Sequence, residues 1–188
     1  IVMPVSRRYE LLRWAKEKSS RYIIEDDYDC EFRLYGRPIP PLQSIDSAEK
    51  VIYINTFSKT LAPTFRISYM VLPAHLASLF YEKLGFYSCT VSNFEQFTLA
   101  KFIEDGYFER HINRMRTYYR TKRDRLLHYL ATCKAAPALT VEGENSGLHF
   151  LLHLATQASD ITLTQAALTQ GIQIKFLSDY YHDKTSDC

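Results

Sequence analysis

The chain holds four cysteines, Cys30, Cys89, Cys133 and Cys188, and no Cys-x-x-Cys pair. Such spacing supports neither a zinc site nor a disulfide framework, and a reducing cytoplasm is the expected setting. No apolar run approaches the roughly 20 residues of a membrane helix, so no membrane partner is expected. No secretory leader is read in the opening residues. Internal repeats and low-complexity tracts are absent, which argues against solenoids and flexible linkers. Neither sign of charge dominates, since a formal net charge of +2 over 188 residues is too small to argue for nucleic acid by itself. An initiator methionine is also missing from the opening Ile1-Val-Met-Pro-Val, and the chain stops in a polar stretch at Cys188. It is expected to be a fragment.

What is present suits a packed core. Hydrophobic residues make up 46%, charged residues 23% and aromatics 14%, with 14 tyrosines. Apolar positions at helical spacing predict helices over 6–19 (with Ser6 as N-cap), 74–84, 93–104, 107–132 and 162–169. Short apolar runs predict strands over 22–25, 51–57, 66–72, 139–142, 148–154 and 172–177. Residues 32–47 read as irregular, with turns at Gly36, Pro38, Pro40 and Pro41. The link between the second and third strands is too short for a parallel crossover, so that pair is either antiparallel or not adjacent. The link before it is long enough for a parallel pair. A change of style near Ala135-Ala-Pro137 predicts two units, 1–134 and 135–188.

Two strand ends carry the chemistry. One apolar run, Tyr22-Ile-Ile24, ends in Glu25-Asp-Asp-Tyr-Asp29. Another, from Val51, ends in Thr56-Phe-Ser-Lys59, with Arg66 just beyond. In open α/β sheets, ligand-binding groups gather at such carboxyl ends. Pyridoxal phosphate needs a lysine for its aldehyde, a carboxylate for its pyridine nitrogen, a donor near its phenolic oxygen, and cations and hydroxyls for its phosphate. Lys59 suits the first role, Asp26 or Asp27 the second, Tyr28 the third, and Thr56, Ser58 and Arg66 part of the fourth.

The same residues carry a resemblance. Tyr22-Ile-Ile-Glu-Asp-Asp-Tyr-Asp-Cys-Glu-Phe-Arg33, Pro38-Ile-Pro-Pro-Leu-Gln-Ser44, Tyr53-Ile-Asn-Thr-Phe-Ser-Lys-Thr-Leu-Ala-Pro63 and Arg66-Ile-Ser-Tyr-Met-Val-Leu-Pro73 resemble the aminotransferase-like domain of MocR/GabR transcription regulators. So do Met3-Pro-Val-Ser-Arg-Arg8, Gly106-Tyr-Phe-Glu-Arg-His-Ile-Asn-Arg-Met-Arg116 and Ser146-Gly-Leu-His-Phe150. The likeness runs over nearly the whole chain. It implies an α/β fold, part of a fold-type I large domain with a mixed, mostly parallel sheet, followed by part of a small α+β domain. It implies pyridoxal 5'-phosphate as cofactor, with Lys59 as the lysine that holds it, Asp26 at the pyridine nitrogen, Tyr28 beside the phenolic oxygen, and Thr56 and Arg66 at the phosphate. Ser58 is a weaker phosphate candidate. It further implies an amine or amino-acid effector, a homodimer, and DNA contact only through a winged-helix module that would precede this stretch, as would the first half of the large domain.

One departure concerns the effector: no arginine for a carboxylate stands in Leu177-Ser-Asp-Tyr-Tyr181, where Asp179 is found instead. A second reading is a working aminotransferase acting on an amino acid and a 2-oxo acid. A third is a remnant with no activity of its own. The basic run Arg110, Arg114, Arg116, Arg120, Lys122, Arg123 and Arg125 is read as the solvated face of a helix whose other face is apolar, ahead of a nucleic-acid surface. His149 and His153, on one face of a strand, would lie roughly 13 Å apart, too far to share a metal.

Overall fold

Pro4 opens the first helix, α1 (Val5–Lys16), in a computed structural model that describes residues 3–32, 34, 40–145 and 148–181. The extended backbone at Pro4 leads directly into helical geometry, and its carbonyl accepts the Arg8 N–H at 3.1 Å. Ser6, the expected cap, therefore falls inside the first turn. The turns expected at Gly36 and Pro38 lie outside the described residues.

A three-stranded sheet follows, in the order β1 (Ile23–Asp26), β2 (Val51–Thr56), β3 (Ser68–Val71). β1 and β2 are parallel, with Ile23 opposite Val51 and Asp26 opposite Ile54. β2 and β3 are antiparallel, joined through the single turn of α3 (Phe57–Thr60). Both relations follow from the lengths of the links. The region between β1 and β2 is less irregular than expected. It contains a 3₁₀ turn, Cys30–Phe32, and a four-residue helix, α2 (Leu42–Ile45). Both carboxylate oxygens of Glu25 receive backbone N–H groups at the start of α2, from Leu42 at 2.7 Å and Gln43 at 3.0 Å.

Alternation along the strands gives the sheet two unlike faces. Ile23 and Val51 pack with Ala15 of α1 and Leu42 of α2 into a buried cluster, with Leu11 and Leu12 against it. The opposite face carries Ile24 and Asp26 of β1, Ile52, Ile54 and Thr56 of β2, and Ser68 and Met70 of β3. It is open at its edges, where Ile24 is 67% and Met70 46% exposed, and half-buried along β2.

Beyond the sheet run α4 (Ala74–Leu84), α5 (Asn93–Glu104) and the 26-residue α6 (Tyr107–Thr132). Gly106, at φ 70°, makes the reversal between α5 and α6 in a region that side chains disfavour. Ile112 on the apolar stripe of α6 is buried. Two residues of its basic run serve the fold: Arg116 donates to the Glu31 carbonyl, and Arg123, itself buried, donates to the Glu144 carbonyl at 3.1 Å.

The C-terminal part has its own antiparallel pair, β4 (Leu139–Glu142) with β5 (Leu151–Leu154), then α7 (Asp160–Thr169). α7 starts two residues before expectation because the Ser159 hydroxyl accepts the Thr162 N–H at 3.3 Å. The strand expected over 172–177 does not form. Its apolar residues find no ladder partner among the described residues, and the chain instead enters a 3₁₀ turn at Leu177–Tyr180.

Candidate functional site

Asp26 is the last residue of β1, and the ladder to β2 continues one step past it, where the Asp27 N–H donates to the Ile54 carbonyl at 3.0 Å. The next residue, Tyr28, lies in the turn beyond. Burial first, then the charges of Asp29 and Asp26 and the nearby Tyr180, push its phenol pKa up. On the neighbouring strand β2 ends at Thr56, on the same face as Asp26.

Thr56 then caps α3, its hydroxyl accepting the Ser58 N–H at 3.2 Å. Ser58 donates its hydroxyl to the Phe65 carbonyl at 2.5 Å, and Arg66 Nη1 reaches the same hydroxyl at 3.4 Å. Thr56 Oγ1 also stands 3.2 Å from both Ser58 Oγ and the Ile67 carbonyl. The α3 link is closed below by the Phe57 N–H donating to Ile67 at 2.9 Å. Thr56, Ser58 and Arg66 are thus brought together, while Lys59 projects from α3 into solvent.

Several supporting residues were not singled out from sequence. Thr60, 1% exposed, has its carbonyl 2.9 Å from His111 Nε2, which ties α3 to α6 across 51 positions. Asn55, 2% exposed, donates to the Tyr53 oxygen at 3.0 Å, and Tyr53 donates to Asp27 at 3.2 Å. A polar residue at an inward strand position was the available clue to Asn55. No local pattern announces Thr60 and His111.

Among the described residues, neither the Asp26 carboxylate nor the Lys59 ammonium has a hydrogen-bond or ion-pair partner. The cluster of two hydroxyls and a guanidinium, with Asp26 on the same sheet face as Thr56 and Lys59 exposed on α3, supplies residue types that fit a ligand with a protonated ring nitrogen, an aldehyde and a phosphate.

No family model matches the chain. It is 44% identical over 182 residues to the uncharacterized HTH-type transcriptional regulator YdeL of Bacillus subtilis, over 96% of this chain and 39% of that protein. It is 35% identical over 182 residues to the probable rhizopine catabolism regulatory protein MocR of Rhizobium meliloti, over 96% of this chain and 36% of that one. The kynurenine aminotransferase of Pyrococcus horikoshii, whose structure was solved with PMP, superposes with a TM-score of 0.82 at 27% identity, over 99% of this chain and 46% of that one. The chain therefore spans 36% to 46% of the length of these proteins. It is homologous to the MocR-type HTH transcriptional regulators and, over the residues it spans, has the mixed α/β fold of the pyridoxal phosphate-dependent fold-type I aminotransferases.

Proposed function

We propose that this stretch is the pyridoxal phosphate-binding, effector-sensing part of a bacterial MocR-type regulator. The observation that carries the reading is the Thr56–Ser58–Arg66 cluster just past β2, with Asp26 and Lys59 lacking side-chain partners among the described residues, in a homologue of HTH-type regulators. Residues 1–134 form the later part of a large cofactor-binding domain, and residues 135–188 part of a small one.

When bound, pyridoxal phosphate supplies an aldehyde that condenses with amines and a ring that accepts electrons. Lys59 would be the amine for the aldehyde. Asp26 would keep the ring nitrogen protonated by charge pairing. Tyr28 would donate to the phenolic oxygen. Thr56, Ser58 and Arg66 would hold the phosphate, with Arg66 giving charge-assisted bonds. An amine or amino-acid effector would bind beside Lys59, and its binding would shift the small domain and so alter how a homodimer presents its DNA-binding modules. The cytoplasm is the compartment in which such a regulator works. The cation that would meet an effector carboxylate is not an arginine of residues 172–181; there Asp179 accepts the Phe176 N–H at 3.1 Å.

The test uses the full-length regulator and its operator. Saturating pyridoxal phosphate together with candidate amines is expected to change operator affinity at least several-fold. Unchanged affinity across the panel would sink the switch. Turnover of an amino acid above that of free cofactor would instead favour an aminotransferase, in which Lys59 carries the proton.

A further inference from the structure

The C-terminal part of the chain reaches back to the site at one side chain. His149, two residues before β5, places Nε2 3.5 Å from the Tyr28 hydroxyl, across 121 positions of sequence. Its other surroundings form a cavity of ≈ 170 Å³ against α6, where Lys122 and Arg123 face it together with Glu144. Tyr28 in turn faces Asp26 and Asp29 from its own turn and Tyr180 from the 3₁₀ turn at Leu177–Tyr180. A phenol has one proton and two lone pairs, and a neutral imidazole nitrogen is either donor or acceptor. Should Tyr28 donate to His149, its proton is turned away from the strand ends. Should His149 donate to Tyr28, that proton stays free to point into the site. The two carboxylates beside Tyr28 favour the second arrangement, because they attract the positive end of an N–H dipole.

We propose that His149 is a positioning residue, whose Nε2–H donates to the Tyr28 oxygen and so aims the phenolic proton at the cofactor's phenolic oxygen. The proposal rests on the cofactor reading above. It gives the C-terminal part a direct lever on the site, since any displacement of the segment before β5 withdraws the donor and lets the Tyr28 hydroxyl rotate.

Two measurements on the full-length protein test it. In the first, side-chain nitrogen NMR of labelled histidines reads the His149 tautomer without any cofactor. The Nε2–H form is expected, with an Nε2 chemical shift that changes in Tyr28→Phe. In the second, pyridoxal phosphate is added and the pH midpoint of its visible absorption band is measured. His149→Ala is expected to move that midpoint by about one pH unit, the scale of one hydrogen bond to a charged group. His149→Gln, which keeps an N–H donor, is expected to restore most of it. In a Tyr28→Phe background His149→Ala is expected to have no further effect. A His149 Nε2 signal identical in wild type and Tyr28→Phe overturns the proposal, as does a band midpoint unmoved by His149→Ala. A band that survives Lys59→Ala unchanged speaks against the cofactor reading instead, and the NMR comparison then decides the Tyr28–His149 link alone.

Discussion

Cys30 sits beneath the end of the sheet, its sulfur 3.5 Å from Asn55 Nδ2 and 4.0 Å from the Tyr53 hydroxyl. Burial, and then the charges of Glu31 and Asp27, push its thiol from 9.0 up to about 12. Tyr53 is raised in the same direction, chiefly by burial. Cys89 and Cys133 are exposed. Alkylation at pH 8 followed by peptide mapping is therefore expected to modify Cys89 and Cys133 quickly and Cys30 only after unfolding. A Cys30 that reacts as fast as Cys89 would contradict the packing described. The raised thiol also sets a direction with pH. Below 9.0 both folded and unfolded chains keep the proton and the stability is unaffected. Above it the unfolded chain ionises first, so stability falls as pH rises from 9.0 to about 12. Urea midpoints across that range are expected to decline less steeply in Cys30→Ala. At this scale the sequence was informative where chemistry is local: Asp26, Tyr28, Thr56 and Lys59 stand at or just past strand ends, and Arg66 just before β3. It was silent on the Thr60–His111 and Tyr28–His149 contacts, which join groups far apart along the chain without a spacing rule.

Among the elements, the turn before β2 depends on one carboxylate. Asp46 accepts backbone N–H groups from Ala48 at 2.9 Å, Lys50 at 2.5 Å and Val51 at 2.8 Å. Asp46→Ala leaves these amides to water or unpaired, and is expected to cost about 2 kcal/mol by denaturant titration. A loss below a few tenths would show that the turn holds itself. Glu49 in the same turn has φ 53°, a left-handed conformation that a side chain disfavours. Its carboxylate meets His75 at 3.3 Å, an exposed contact of small worth. Glu49→Gly is accordingly expected to be neutral or to stabilise by up to about 1 kcal/mol. The helices near 74–84, 93–104 and 107–132 were legible because helical periodicity runs through each and Pro73 marks the first start; the structure adds the caps Ser92 and Gly106. The strand expected over 172–177 was not, since apolar alternation says that a segment can pair and nothing about whether a partner strand is present.

The whole molecule exposes more surface than its mass accounts for. A compact monomer of this size shows roughly 9,300 Å² to water, whereas this chain shows 14279 Å². Large apolar side chains share in that exposure: Tyr81, Phe86, Tyr87, Phe94 and Phe97 on and between α4 and α5 are each exposed, as are Ile24 and Met70 on the sheet face that bears Asp26. A parallel strand pair is ordinarily covered on both faces, and here only the Ile23–Val51 face is. The 188 residues alone are therefore expected to self-associate at micromolar concentration and to bind a hydrophobic dye, by sedimentation and fluorescence. A monodisperse monomer without dye binding would show that this surface tolerates water. For the same reason the central claim is best tested on the full-length protein. Pyridoxal phosphate is added, reduced onto its amine with borohydride, and located by peptide mapping. The account predicts one dominant adduct, on Lys59, that disappears in Lys59→Ala. Adducts scattered over surface lysines, or a dominant one elsewhere, would contradict the assignment of this site.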